Sequence, residues 1–412
     1  MSEEKTVAQI ETPKKIKKQF YANGQSNAPS KPVESLYPNN DFPRGIIFFP
    51  GSDREEIPFT YSNFRSAKDS AKEDDQNKRD EELVINNPEA VRDLRLAGEI
   101  HREIRNYARR KAMAGANLWD YANDVEKRGL MICGNPKTPY LDIGQAFPLG
   151  LSLNHVAAHW TPNDASEGHI LTKTDVMKVD VGYHVNGRIV DSAFTVCHDA
   201  EKKALIDATV DATNSAIRAA GVDACVSELG DIIEEVICSY ELNYKGKTYQ
   251  INPVRNLSGH TVGDYRVHAG KSIPNCKNSG DNSRMEEGDL FACETFSSTG
   301  KGRIHDEGVC SHFMLDPVAA ANDVSRNIRS PKARELYNFI RKSYSSLAFA
   351  KRWVDAAGFT NHALAWRELI TSGIIQDYPP LADVKDSWTA QTEHTFLVGR
   401  RSIEILTAGD DY

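Results

Sequence analysis

The sequence is short of most features that would assign it to a specialised class. Its seven cysteines are scattered over 412 residues with no C-x-x-C pair and no framework spacing. An odd, dispersed set points away from a disulfide scaffold or a thiolate zinc module and towards reduced thiols in a cytoplasmic protein. The N-terminus, MSEEKTVAQI, lacks the apolar core of a secretory signal. No apolar run approaches the ~18 residues that a membrane-spanning helix needs. Cationic excess is missing too. The net charge is -8, which argues against general nucleic-acid binding, although a local basic patch can still act. No short-period repeat is visible. What remains is a soluble, globular composition in a chain long enough for one large domain or for two or three smaller ones.

Residues 1 to about 34 are polar, with a basic cluster at Lys14, Lys15, Lys17 and Lys18. They read as a solvated, disordered tail; the functional alternative is an electrostatic tether to an RNA-rich particle such as the ribosome. The stretch LYPNNDFPRGIIFFP, residues 36–50, reads as an extended arm laid over the folded body, and residues 51–87 return to mixed charge. Residues 1–87 therefore form an N-terminal extension, and the folded body, 88–412, opens near Pro88. There Val91, Leu94, Ala97, Ile100, Ile104 and Tyr107 recur at helical steps. Asn117 is placed to cap a second helix through about Arg128. Helices are expected over Lys202 to Ala220, with Gly221 as its C-cap, and over Val226 to Tyr240. From about 326 to 376 the pattern turns helical, opened by Ser330-Pro331, with apolar stripes at Leu336, Phe339, Ile340, Tyr344 and Leu347, then Leu364, Trp366, Leu369 and Ile370. This reads as a helical insert in an otherwise mixed α/β chain.

Ahead of these helices, VMKVDVGYHVNGRIVDSAFTV, residues 176–196, reads as a β-hairpin. Asn-Gly is the strongest two-residue hairpin signal, because a type I′ turn needs positive φ at both central positions. A two-residue loop at Asn186-Gly187 sets Val185 opposite Arg188 and Gly182 opposite Asp191. Asp180 shares a face with Gly182 because strand side chains alternate. Asp180 and Asp191 thus fall on one face, on diagonal positions roughly 7 Å apart. Two carboxylates so placed in apolar strands need a shared proton, a basic partner or cations.

Further strands carry His260, Glu294 and Glu393, making four carboxylates and one imidazole. Two divalent cations would balance that charge in a two-metal hydrolytic site, and oxygen-rich ligation favours manganese, iron(II) or cobalt(II). Spacing alone selects this set weakly, since the chain has 58 acidic residues.

The segments LYPNNDFPRG, AFPLGLSLNHVAAHWTPN, KVDVGYHVNGRIVDSAFTV, YQINPVRNLSGHTVGDYRVHAGK, MEEGDLFACETF, STGKG, LAFAKRW, DYPPLADVK, TAQTEHT and the terminal GDDY together resemble the type 2 methionine aminopeptidases, in order from about residue 36 to the end. The resemblance implies a pita-bread α/β (α+β) fold, an antiparallel sheet with flanking helices around a dinuclear metal site, with the 326–376 segment as its helical insert. It implies metal ligation by Asp180, Asp191, His260, Glu294 and Glu393, with Asp191 and Glu393 bridging. It assigns His159, His268 and Glu294 to catalysis. It places His159, His268, Phe147, Val267, His312, Ala348 and Tyr378 around the substrate. The cofactors it implies are two divalent ions (Co2+, Mn2+, Fe2+ or Zn2+). The implied reaction is removal of the first methionine from nascent polypeptides whose second residue is small and uncharged, by a monomer with no membrane contact. His155 and His184 read as packing histidines.

Three departures bear on detail: the loop CGNPKTPYLDIG is longer than the resemblance leads one to expect, Ser297 stands where Gly is frequent, and His155 precedes the His159 motif. A catalytically dead relative on the same fold is disfavoured because all five ligand types are present. Enzymes that cleave before proline are disfavoured by the helical insert. Removal of residues 1–34 is expected to weaken cosedimentation with ribosomes, or with an initiation factor, while leaving peptide cleavage intact; unchanged cosedimentation would count against the tether.

Overall fold

The computed structural model describes residues 28–43, 45–48, 84–135, 141–277 and 280–409. The Lys14–Lys18 cluster, the 51–83 stretch, the centre of the 133–144 loop and the last three residues lie outside that set.

The expected hairpin is the centre of the first sheet. Strands Met177–Val185 and Arg188–Val196 pair along their whole length, with Val185 opposite Arg188 and Gly182 opposite Asp191. Asn186 and Gly187 have φ of 49° and 83°, as a type I′ turn requires. Strands Ile143–Gln145 and Gly150–Leu153 pair with the other edge of strand 177–185. Helix Pro88–Lys111 backs this sheet and buries Leu94, Ala97, Ile100 and Ile104. Asn87 accepts the amides of Glu89 and Ala90, Pro88 holds the first turn, and Arg109, Arg110 and Lys111 occupy the last, so both ends suit the helix dipole. Arg102 and Arg105 are also buried in this helix, and each donates at 2.6 Å to a carbonyl near the C-terminus, Leu406 and Thr407. Helix Leu118–Ile132 follows, with Asn117 as its side-chain cap.

The second sheet runs in the order Ile46–Phe48, Ile403–Ile405, Thr389–Val398, Leu290–Ser298, Ser258–Thr261 and Ser272–Pro274, with Asn252–Pro253 beside strand 290–298. The arm expected near the N-terminus is thus partly an edge strand, with Ile47 opposite Glu404. Helices Lys203–Ala219 and Val226–Cys238 cover the back of this sheet. Two threonines on helix 203–219 meet two on the sheet: Thr209 Oγ1 lies 2.9 Å from Thr392 Oγ1, and Thr213 Oγ1 lies 2.9 Å from Thr295 Oγ1. Because strand side chains alternate, turning Thr295 and Thr392 to the helices turns Glu294 and Glu393 to the opposite face.

The later segment holds helices Pro331–Tyr344, Lys351–Ala356 and Ala363–Thr371 around an apolar cluster that includes Leu336, Ile340, Tyr344, Trp353 and Leu369. It also contributes strands Phe349–Ala350 and Ile375–Tyr378, which flank His312–Leu315. Two sequence expectations are corrected here. Leu364 is 83% exposed; the short helix 363–371 turns Ala365, Trp366 and Leu369 inward instead. Helix 203–219 ends on Ala220 in extended backbone, its amide bonded to Ile217, and not on Gly221.

Helix 118–132 approaches strand 177–185 at Gly129, where a Cβ would stand 1.7 Å from the Tyr183 hydroxyl. Gly129→Ala gains about 1 kcal/mol of helix propensity but overpacks a buried contact at about 1–3 kcal/mol. The clash wins, and the urea midpoint is expected to fall. A raised midpoint would show that the helix can shift off Tyr183 freely.

Candidate metal centre

The two sheets meet through side-chain-to-backbone bonds. Thr395 Oγ1 accepts the Asp191 amide at 2.7 Å and donates to the Asp191 carbonyl at 2.6 Å. Ser192 Oγ donates to the Glu393 carbonyl at 2.6 Å, and Thr195 Oγ1 to the Gln391 carbonyl at 2.7 Å. This seam lays the hairpin face that carries Asp180 and Asp191 against the sheet face that carries Glu294 and Glu393. Glu294 stands directly opposite Glu393 in the ladder. His260 pairs with Ala292, two residues before Glu294, and so shares its face.

The five residues singled out in the sequence therefore converge. One potential ligand atom from each of Asp191, His260 and Glu393 lies within 4.8 Å of the others. His260 Nε2 is 3.9 Å from Glu294 Oε1. Gln391, two residues before Glu393 on the same face, donates from Nε2 to Asp180 Oδ2 at 3.3 Å and to Glu294 Oε2 at 3.1 Å. Asp191, His260 and Glu393 are buried, while Asp180 and Glu294 keep a partly open edge. Gly182 makes room for this arrangement, since a Cβ there would stand 2.2 Å from the Phe147 ring.

Burial raises the Asp180 carboxyl to about 6. Burial, then repulsion from Asp180 and Glu294, raises Asp191 well above the usual carboxylate range. Glu294 and Glu393 are raised by burial and by their acidic neighbours. His260 is pushed down to about 3 by burial and by His268, so it is a neutral ligand near pH 7. Asp180 Oδ1 and Asp191 Oδ1 are buried with no hydrogen-bond partner among the described residues. Crowded carboxylates with unused buried oxygens, beside one neutral imidazole, fit divalent cations held by oxygen-rich ligation.

His268 borders this centre, and the other predicted residues lie along contacts that lead away from it. The ring of His268 lies 4.1 Å from that of His260. His159 has its ring 6.1 Å from both His312 and Tyr378. Its φ is 65°, unusual for a non-glycine residue, and Ser311 Oγ holds its carbonyl at 3.3 Å. Burial and His268 push His159 down to about 4, and burial and His159 push His312 down to about 3. His312 Nε2 is 3.3 Å from the Pro148 carbonyl, next to Phe147. Val267 packs at the edge of the main core. Ala348 is buried two residues before Ala350, the ladder partner of His312. His184 is a packing histidine, accepting the Gly187 amide. His155 instead stands at a half-open surface, 3.3 Å from Glu307.

Sequence reasoning missed Gln391, whose signal was its period-two spacing from Glu393. It also missed Ser311, which gives no signal without tertiary contacts.

Comparison with known proteins decides the class. Residues 92–314 match the model for metallopeptidase family M24. Methionine aminopeptidase 2 of Komagataella phaffii is 40% identical over 92% of this chain and 80% of its own length. That of Schizosaccharomyces pombe is 39% identical over 94% and 85%. The chain belongs to metallopeptidase family M24, in its methionine aminopeptidase 2 group. Membership makes it a metal-dependent hydrolase. The fold also matches a methionine aminopeptidase from Thermotoga maritima (TM-score 0.53, 19% identity, 79% of this chain and all of that one). It matches a thermophilic Arx1 as well (TM-score 0.65, 15% identity, 79% and 92%).

The raised carboxylates make a prediction for metal-free protein. Their folded pKa values, about 6 for Asp180 and raised well above the usual carboxylate range for Asp191, Glu294 and Glu393, exceed the ordinary value of about 4. The folded state therefore holds more protons than the unfolded one. Their contribution to stability is full below about pH 4 and is lost as pH rises through 6 and beyond. In EDTA, the melting temperature is expected to fall from pH 5 to pH 8, and added Mn2+ to restore it most at pH 8. A rise over that interval would contradict the buried cluster.

Proposed function

We propose that the chain removes the initiator methionine from nascent proteins and peptides whose second residue is small and uncharged. The convergence of Asp180, Asp191, His260, Glu294 and Glu393 beside neutral histidines carries this reading. Asp180 would hold one divalent ion and His260 with Glu294 the other, with Asp191 and Glu393 shared between them. Bound there, two ions of Mn2+, Co2+, Fe2+ or Zn2+ would supply Lewis acidity that activates water and polarises the first carbonyl.

The chain's own groups do the rest. Glu294, with a raised pKa and a partly open edge, accepts the proton of the attacking water and returns it to the leaving amide nitrogen. His159 and His268, both held below the usual histidine range, are neutral at pH 7 and donate through ring N–H groups to the substrate carbonyl and scissile amide. Phe147, Val267, His312, Ala348 and Tyr378 surround the first side chain, where an apolar recess suits an unbranched thioether.

No helix among the described residues is long and apolar enough to cross a membrane. The proposed setting is the cytoplasm, with the enzyme monomeric and the Lys-rich tail as its tether to ribosomes or an initiation factor. The division into an extension, 1–87, and a catalytic unit, 88–412, with the 326–376 insert is part of the same proposal.

Metal-stripped protein reloaded with each ion should release methionine from Met-Ala-Ser and spare Met-Leu-Ser and Ala-Pro-Ala. Asp191→Asn should lower kcat/KM by about a hundredfold or more. Cleavage of Ala-Pro-Ala in preference would favour a proline-directed relative, and no cleavage by folded, metal-loaded protein would refute the reading.

A further inference from the structure

The recess assigned to the methionine side chain is built from segments far apart in sequence, and one buried carboxylate bonds to two of them. Glu126 sits on helix 118–132, which carries none of the residues proposed for catalysis or binding. Its Oε1 accepts the Leu149 amide at 3.2 Å and a hydrogen bond from Arg352 Nη2. Its Oε2 accepts the Trp353 indole N–H at 2.8 Å. Arg352 continues the chain of contacts, donating from Nη1 to the Pro162 carbonyl at 3.2 Å. Glu126, Arg352 and Trp353 are 9%, 5% and 8% exposed.

The partners come from two of the segments that border the recess. Leu149 follows Pro148, whose carbonyl meets His312, and Phe147, whose ring covers Gly182. Arg352 and Trp353 belong to helix Lys351–Ala356, directly after strand Phe349–Ala350 and four to five residues after Ala348. That strand pairs Ala350 with His312. Glu126 therefore ties the Phe147–Leu149 segment to the Ala348–Trp353 segment, alongside the contact of His312 with the Pro148 carbonyl. A buried ion pair is a weak source of net stability, because desolvation offsets its attraction. What it specifies here is the attachment of the 345–356 segment to the catalytic body.

We propose that Glu126, acting through Arg352 and Trp353, is a positioning residue for first-residue specificity that sets the width of the methionine recess without touching substrate. This rests on the proposed function above. None of the described hydrogen bonds of Glu126 reaches the five carboxylate and imidazole ligands, so its loss acts on side-chain fit and leaves the metal centre in place. A widened recess grips the linear methionine side chain less tightly and tolerates a branched one better.

The test compares metal-loaded, full-length wild type with Glu126→Gln and Trp353→Phe. Substrates are Met-Ala-Ser and Leu-Ala-Ser, with bound metal counted by elemental analysis. Glu126→Gln keeps the shape but removes the charge. Trp353→Phe removes one donor and keeps an aromatic ring, so it serves if the first variant does not fold. The expected result is a methionine-over-leucine ratio of kcat/KM reduced about tenfold, the scale on which an apolar pocket reads one methylene. The loss should lie mainly in KM for methionine, at unchanged metal content. An unchanged ratio in a folded variant, or an equal loss on both substrates, overturns the proposal, because lost stability alone scales both substrates alike. Failure of the wild type itself on Met-Ala-Ser would instead refute the function it rests on, so the two failures are distinguishable.

Discussion

Four carboxylates buried against one another are the constraint around which the molecule is built. Asp180 and Asp191 come from a hairpin, Glu294 and Glu393 from neighbouring strands of a second sheet. Burial raises the pKa of every one of them, and repulsion from acidic neighbours adds to this at Asp191, Glu294 and Glu393. Such a cluster persists only if the backbone around it cannot relax. Asp180, Glu294 and Glu393 sit within strands paired on both flanks. The strand of Asp191 pairs with strand 177–185 on one flank and is held by hydroxyl-to-backbone bonds to strand 389–398 on the other. The second sheet is locked from behind by hydroxyl contacts such as Thr213 to Thr295. The cost of holding like charges together is thus met by rigid β-structure, and cations that relieve it bind to a site already formed.

The seam between the sheets explains how the halves act as one. It consists of Ser192, Thr195 and Thr395 hydroxyls bonded to facing backbone groups. These bonds set the hairpin at one height against strand 389–398. A slip of one residue would turn Asp180 and Asp191 away from Glu294 and Glu393, because side chains alternate along a strand. Gln391 adds a fork of two N–H donors across the gap, to Asp180 and Glu294. The neutral histidines around the centre follow from the same burial, which disfavours their charged form. Near pH 7 they add no positive charge of their own.

Much of this was legible in the residues. Asn186-Gly187 predicted the turn, and the turn set the register that put both aspartates on one face. Asn117 and Ser330 start their helices as side-chain caps, as their positions predicted. The failures have local causes. Leu364 entered an apolar stripe by spacing, but a nine-residue helix has one buried face about two turns long, and the true stripe begins one position later. Gly221 was read as a cap because glycine usually relieves a left-handed end, whereas Ala220 leaves the helix in extended backbone.

Local chemistry in the chain determined which segments become strands and helices, which acids share a hairpin face, and the family to which the chain belongs. Those depend on residues near one another, where turn geometry and side-chain alternation leave few choices. Tertiary structure alone decided that His260, Glu294 and Glu393 meet the hairpin, that Gln391 bridges two carboxylates, and that Glu126 grips Arg352 more than two hundred residues away. These contacts depend on how sheets and helices stack, and that is set by the sum of many weak packing terms, to which no short stretch of sequence corresponds.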